Sequence, residues 1–296
     1  MQDNIVQTFQ LEDSNLRGRI LRMGSAMNDI LERHAYPDSV SRLTGEAAML
    51  ALLLSSMLKY DGIFTFQTQS DGAVPMLVAD ITRRGVVRAC AKFDAEAVEG
   101  KGSGGDLLGE GHLAFTVDQG DETERYQGIV ALTGDSLQDS VQHYFTQSEQ
   151  IATGIRIAVG RDVDGKWRGG AIMLQRLPEQ GAQEEGEAHE DDWRRAMVLL
   201  QSCTDAELLD KNLSQDDLLF RLFHEGGVRV YGPQAVEEGC RCSRDRANHI
   251  LDMMSDEDRH DMVVDDKIVV TCEFCNRDYV FEGDVLDNIL ARENRT

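Results

Sequence analysis

The sequence predicts an α+β protein: an N-terminal antiparallel-sheet domain with packed helices, a helical linker region and a small cysteine-rich C-terminal module. Three observations predict it. Short stretches of alternating apolar and polar residues, separated by Asp-Gly and Arg-Gly turn signals, run through the first part of the chain with few helical patterns among them. After Pro178 the composition turns acidic and then leucine-rich. Near the C-terminus, four cysteines stand as Cys240-Arg-Cys242 and Cys272-Glu-Phe-Cys275. At 296 residues the chain exceeds the size at which single cores usually divide. The expected division is 1–178 for the core domain, 179–227 for an acidic tether and metastable helical linker, and 228–296 for the cysteine module.

The elements follow in order. Asn4–Phe9 reads as a first strand, Arg19–Met23 as a short element and Ala26–Arg33 as a helix. Thr44 is expected to cap a helix reaching Lys59, with Glu46 in its first turn complementing the dipole. Met49, Leu50, Leu53, Leu54, Met57 and Leu58 recur at helical spacing and form a core stripe. From Ile63 the period changes to two, because Phe64, Phe66 and Thr68 alternate with Thr65, Gln67 and Gln69. Turns at Asp71-Gly72 and Arg84-Gly85 separate further strands at Met76–Ile81 and Val86–Ala91, giving a meander. His112–Val117 and Tyr126–Leu132 form a hairpin across Gln119-Gly120-Asp121. Ser136–Ile151 is helical, and Ile155–Gly160 with Gly170–Leu174 closes the set across Asp164-Gly165.

Gly100-Lys-Gly-Ser-Gly-Gly105 lacks the residue order of a phosphate loop and is expected to be a mobile hairpin loop. Glu179–Asp192 carries Glu184, Glu185, Glu187, Glu190, Asp191 and Asp192 without Lys or Arg, as a loosely held tether would. Trp193–Phe223 reads as short helices, with Thr204 and Glu207 in a capping box and Ser214 and Asp217 in an Asp variant of one. Leu208, Leu209, Leu218, Leu219 and Phe223 are among too many apolar residues for a free linker, so this segment packs on the N-terminal domain. Val228–Tyr231 leads into the C-terminal module. There Ser243–Met254 is a helix, Ile268–Thr271 and Tyr279–Phe281 form a hairpin, and Asp284–Ala291 ends the chain.

Two cysteine pairs brought together make a tetrahedral thiolate set, which suits a closed structural Zn²⁺ site. The Cys272 pair has knuckle spacing. Two thiols one residue apart, as at Cys240 and Cys242, can also oxidise to each other. A permanently reduced zinc site and a redox-active one are both compatible with the spacing. His249 and His260 are not needed to complete four ligands. Cys90 falls in a strand and Cys203 in a helix, so both read as packed thiols.

Asp and Glu number 53 against 30 Lys and Arg, a formal charge of −23. That surface repels nucleic-acid phosphates and anionic lipid, and the chain lacks basic stripes. Met1-Gln-Asp-Asn is not a leader, and the apolar run Ala47–Met57 is too short for a bilayer. The expectation is a cytoplasmic chain with reduced cysteines that binds neither nucleic acid nor membrane. No catalytic triad, paired-carboxylate signature or cofactor loop stands out, and an all-cysteine metal set leaves no open catalytic position. The reading is therefore not an enzyme.

The stretches Arg221-Leu-Phe-His-Glu-Gly-Gly-Val-Arg-Val-Tyr-Gly-Pro, Cys240-Arg-Cys-Ser-Arg-Asp-Arg and Cys272-Glu-Phe-Cys-Asn-Arg-Asp-Tyr-Val-Phe resemble the redox-regulated 33 kDa heat-shock chaperones of bacteria. Thr44-Gly-Glu-Ala, Leu77-Val-Ala-Asp, Gly109-Glu-Gly-His, Tyr144-Phe-Thr-Gln-Ser-Glu-Gln and Gly170-Ala-Ile-Met-Leu-Gln extend the resemblance over nearly the whole chain. The family often has Arg-Gly-Tyr-Ala where this chain reads Arg88-Ala-Cys90-Ala, a local departure. The resemblance implies an ATP-independent holdase that is inactive when reduced and zinc-bound. It implies Zn²⁺ on Cys240, Cys242, Cys272 and Cys275. On oxidation it implies Cys240 pairing with Cys242 and Cys272 with Cys275, zinc release, linker unfolding, dimerisation and capture of unfolded clients. The alternative is a constitutive zinc ribbon that binds a partner protein or nucleic acid without a redox switch.

Overall fold

The computed structural model describes residues 3–102, 104–119, 126–132, 136–177 and 187–291. It divides into two compact units, Met1–Glu238 and Gly239–Thr296.

The first unit is α+β, as expected. Strands β1 (Ile5–Leu11) and β2 (Leu16–Met23) make an antiparallel hairpin, followed by helices α1 (Ser25–Leu31) and α2 (Asp38–Ser55). The meander β3 (Ile63–Ser70), β4 (Met76–Thr82) and β5 (Val86–Lys92) comes next. Two short helices, α3 (Ala95–Val98) and α4 (Gly105–Leu108), connect it to the pair β6 (Gly111–Asp118) and β7 (Tyr126–Ala131). Of the expected loop at Gly100–Gly105, the described residues before Gly105 are non-helical and lie between α3 and α4, with Asp94 accepting from the amides of Glu96 and Ala97 to start α3. Ser103, and Gly120 and Asp121 of the predicted turn, lie outside the described residues. Helix α5 (Leu137–Tyr144) passes into a π turn over Phe145–Glu149, stopped by Gln150 at φ 55°. Strands β8 (Thr153–Arg161) and β9 (Trp167–Arg176) then pair.

Thr44 does not cap α2. The helix begins at Asp38, directly after Pro37, and Thr44 lies inside it with its hydroxyl donating to the Val40 carbonyl at 2.8 Å. A buried hydroxyl can bond back to the preceding turn, so a cap residue type occupies a helix interior here. Glu46 consequently sits beyond the first turn, away from the dipole's positive end.

After α6 (Glu187–Gln201), α7 (Asp205–Leu209) and α8 (Gln215–Phe223), three short strands close the unit: β10 (Val228–Val230), β11 (Gln234–Ala235) and β12 (Glu237–Glu238). One sheet runs β10-β1-β2-β9-β8 with β11 also on β1, and the other runs β12-β5-β4-β3-β6-β7. Helix α2 packs on strands of both sheets and supplies Leu43, Ala47, Met49, Leu50 and Leu53 to the main core. The other face of the first sheet is covered by α6–α8. There Phe9, Leu11, Leu16, Ile20, Ile172 and Leu174 meet Leu200, Leu208, Leu218, Leu219, Leu222 and Phe223. The leucine-rich linker is therefore docked on the core domain.

The acidic stretch differs from a loose tether where it is described. Residues from Glu187 are the first turns of α6. Glu190 pairs with Arg176 at 3.0 Å, Asp191 with Arg194 at 2.8 Å and Asp192 with Arg195 at 3.6 Å. Carboxylates near a helix N-terminus are favourable, and their partners lie one turn later or on the neighbouring strand, which a count over the run cannot see. Glu184 and Glu185 lie outside the described residues.

The cysteine unit contains α9 (Arg244–Asp252), α10 (Asp256–Asp261), the hairpin β13 (Lys267–Thr271) and β14 (Asp278–Glu282), and α11 (Asp284–Leu290). It begins at Gly239 rather than at Val228, because Val228–Glu238 pairs with strands β1 and β5. Its core is small: among the described residues, Ala247, Leu251, Ile268, Phe281, Leu286 and Ile289 are the buried apolar ones. Arg259 is 1% exposed within it and donates to the carbonyls of Leu251 and Met254 at 3.3 and 3.2 Å.

Candidate metal centre and linker contacts

Cys240 and Cys242 lie just before α9. Ser243 caps that helix by accepting from the Arg246 amide, and the Arg246 guanidinium donates to the Arg241 carbonyl at 2.6 Å, which pins the loop between the two thiols. Cys272 and Cys275 lie in the turn joining β13 to β14. The Cys272 amide donates to the Arg277 carbonyl at 2.9 Å, and the Asn276 amide to the Cys272 carbonyl at 2.8 Å. Asn276 has φ 56°, a left-handed conformation that asparagine tolerates better than most residues. This reverses the chain tightly enough to aim both sulfurs the same way.

All four sulfurs lie within 4.8 Å of one another. Two short approaches cross between motifs: Cys240 Sγ to Cys272 Sγ is 3.6 Å, and Cys242 Sγ to Cys275 Sγ is 3.4 Å. A tetrahedron with metal–sulfur bonds of roughly 2.3 Å has edges of roughly 3.8 Å, so the set fits one ion. The thiols also titrate as a crowded set. At Cys240, burial opposes ionisation, but hydrogen bonds from the Cys242 amide and the neighbouring thiols outweigh it and bring the group down to about 7. Burial and the surrounding thiols push Cys275 up to about 12. One sulfur ionises early and another late because adjacent negative charges repel, and a divalent cation removes that conflict. Four close cysteines can therefore hold a metal ion.

Two residues that sequence reasoning passed over support the sulfurs. The Tyr279 hydroxyl donates to Cys242 Sγ at 3.0 Å, and that bond is the first cause holding the phenol above its ordinary pKa, so it remains a donor. Arg277 is held above its ordinary value by Tyr279 and then by Cys242 and Cys275. Tyr279 reads in sequence only as an alternating strand position. The remaining candidates stand apart: His249 and His260 are exposed and outside the sulfur set, and Cys90 and Cys203 are buried in the first unit. Burial raises the Cys203 thiol.

In the first unit, the expected capping box at Thr204 is present, with Thr204 N–H donating to Glu207 at 2.8 Å and Glu207 N–H to Thr204 Oγ1 at 3.3 Å. Ser214 likewise accepts from the Asp217 amide at 3.0 Å. A second set of contacts has no signature among the residue types. Arg156 Nε donates to the Cys203 carbonyl at 3.0 Å, and Arg168 Nε donates to the Leu209 carbonyl at 3.1 Å. Arg22 donates to the carbonyls of Leu213 and Glu207. Three arginines of one sheet thus satisfy backbone carbonyls in the last turn of α7 and in the loops that follow α6 and α7.

Comparison with known proteins decides the lineage. The family model described as Hsp33 protein matches residues 4–282. The chain belongs to the Hsp33 family. It is 40% identical over 287 residues to a 33 kDa chaperonin of Caulobacter vibrioides, covering 94% of each chain. It is 34% identical over 282 residues to one of Pseudomonas fluorescens, covering 95% of this chain and 91% of that one. The fold is shared with the crystal structure of the 33 kDa chaperonin (heat shock protein 33 homolog) of Thermotoga maritima. The TM-score is 0.80 at 23% identity, over 97% of this chain and 98% of that one. Membership of the Hsp33 family implies a chaperone that binds client proteins. Among the described residues, no helix is long and apolar enough to cross a membrane.

Proposed function

We propose that this protein is a redox-regulated, ATP-independent holdase, acting in the cytoplasm by binding rather than catalysis. In the reduced state Cys240, Cys242, Cys272 and Cys275 hold one Zn²⁺ and the linker helices stay docked. The observation that supports this reading is the gathering of four sulfurs within 4.8 Å in a unit with six buried apolar residues among those described. A unit of that size needs its metal to fold, since a structural zinc contributes on the order of 10–16 kcal/mol of apparent folding free energy.

Oxidation acts on the thiolates. The Cys240 and Cys242 thiolates lose two electrons to one peroxide, which takes up two protons from solvent and leaves as two waters, and an S–S bond forms. Cys272 and Cys275 do the same with a second peroxide. Four sulfurs tied in two disulfides no longer supply thiolates, so zinc is released. The unit unfolds and its hold on the preceding chain is lost. Helices α6–α8 then leave the sheet, exposing Leu208, Leu218, Leu219, Leu222 and Phe223 together with Phe9, Leu16, Ile20, Ile172 and Leu174. Apolar patches of that kind bind unfolded chains, and a second copy of the oxidised protein.

The test is suppression of aggregation of a thermally unfolding client, without nucleotide, by zinc-loaded protein before and after peroxide. Suppression only after peroxide is expected. Equal suppression in both states would favour a constitutive zinc-ribbon binder instead.

A further inference from the structure

Strand β1 is an edge strand with a cover. Among the described residues, only the segment Gly226–Val236 lies beyond it in the first sheet, and that segment pairs with β1 along its length. Asp13 and Glu12 N–H donate to the Gly226 and Gly227 carbonyls at 3.2 and 3.0 Å. Phe9, Gln10 and Leu11 oppose Val230, Arg229 and Val228. Tyr231 N–H donates to the Thr8 carbonyl at 2.9 Å. After a one-residue slip at Gly232-Pro233, Val6 and Ile5 oppose Gln234 and Ala235, and Val236 N–H donates to the Asn4 carbonyl at 2.8 Å. Antiparallel alternation places the outward-facing backbone groups on Asn4, Val6, Thr8, Gln10 and Glu12.

The cover is held by backbone pairing, by the Arg229–Glu12 ion pair and by the Tyr231 hydroxyl donating to Gln10 at 3.1 Å, with little burial of its own. Of residues 226–238 only Val236 is buried, whereas β1 buries Ile5, Val6, Phe9 and Leu11. Segments with few buried apolar contacts open at low free energy. Val228 and Val230 lean on the apolar cluster beneath the linker helices, so alternate side chains of the cover do the packing. Glu238 is followed by Gly239 and Cys240, so the strap is the stretch of chain that runs directly into the metal ligands.

We propose that β1 is a client-binding edge and that Gly226–Val236 is the chain's own stand-in for the client. Resting on the switch proposed above, release of the strap unpairs the outward backbone groups of five residues, Asn4, Val6, Thr8, Gln10 and Glu12, beside freshly uncovered apolar side chains. An open edge of this kind adds an extended strand, with backbone bonds supplying affinity and every second side chain supplying fit. The occupant is a non-native polypeptide in extended conformation, free of proline, with an apolar residue at alternate positions. Its register on Phe9–Leu11 is the one that Val228–Val230 uses.

The test follows amide exchange in the full-length protein, resolved at Val6, Gln10 and Glu12. Three states are compared: reduced with zinc, peroxide-treated, and peroxide-treated with reduced carboxymethylated α-lactalbumin, a permanently unfolded chain. Protection is expected in the first state, its loss in the second, and its return by at least tenfold in the third. Persistent protection after peroxide overturns the proposal. So do open β1 amides in a sample where size-exclusion shows the client bound, and that outcome leaves the holdase reading intact. Failure of the client to bind at all overturns both. In a second measurement, the oxidised protein is offered two peptides of equal length, one alternating Val and Thr and one with the same alternation broken by proline at every third position. Capture of the first at least tenfold more tightly is expected. Equal capture shows an apolar surface without strand pairing and overturns the proposal.

Discussion

A β-carbon on Gly170 would fall 2.4 Å from the Leu208 carbonyl oxygen. Strand β9 and helix α7 are therefore in contact at a point where no side chain fits, and the obstacle is backbone rather than a movable group. Gly170→Ala must push α7 off the sheet, at a cost of about 1–3 kcal/mol for overpacking. The expected result is faster amide exchange over Asp205–Leu209 in the reduced protein, with partial suppression of client aggregation before any oxidant is added. Unchanged exchange would mean that α7 can shift without undocking.

The metal assignment predicts one zinc per chain in reduced protein. Replacing Cys272 and Cys275 together by serine removes half the ligand set, and zinc content by elemental analysis should fall to background. Full occupancy in that variant would remove the assignment. Peroxide should oxidise the four clustered thiols and spare Cys90 and Cys203, which are buried in the other unit. Mass mapping that finds Cys90 in a dominant intramolecular disulfide would contradict this.

Tyr279→Phe removes the hydroxyl that donates to Cys242 Sγ and leaves the ring in place. Partners of metal ligands typically contribute about 10–100-fold to affinity. Zinc affinity, read by competition with a chromophoric chelator, should fall within that range. The Cys242 sulfur, relieved of its hydrogen bond, should also react faster with peroxide. An unchanged affinity would reduce Tyr279 to a packing residue.

Burial raises Glu46 to about 7, Asp205 of α7 adds to the rise, and Arg42 opposes it. A carboxyl with a folded-state pKa above its unfolded value favours the folded state only while protonated there. Its contribution is present at low pH and is lost as pH rises from about 4.5 to about 7, after which the loss is constant. Glu46→Gln should therefore gain stability relative to the parent over that window and keep the gain above it. Denaturant titrations at a series of pH values check this, and a gap that does not widen with pH would contradict it.

Strand periodicity and cysteine spacing were legible because both are local. Phe64, Phe66 and Thr68 alternate within one strand, and Cys272 and Cys275 share one turn. The misread features depend on distant partners. Thr44 looked like a cap because its bond to Val40 is indistinguishable in sequence from a capping bond. The linker's arginine contacts run from Arg22, Arg156 and Arg168 to backbone carbonyls, which carry no residue signature. Strands β11 and β12 are two residues each, too short for any period, and exist only because β1 and β5 offer edges.

The central claim is that metal loss is transmitted to the linker helices, and hydrogen exchange on the full-length chain tests it most directly. Zinc-loaded reduced protein and peroxide-treated, zinc-depleted protein are compared. The account predicts that exchange rises after Gly239 and also across Trp193–Phe223, while α2 and β3–β6 stay protected. If exchange rises only after Gly239 and Trp193–Phe223 remains protected, the coupling is contradicted, even if the protein still prevents aggregation.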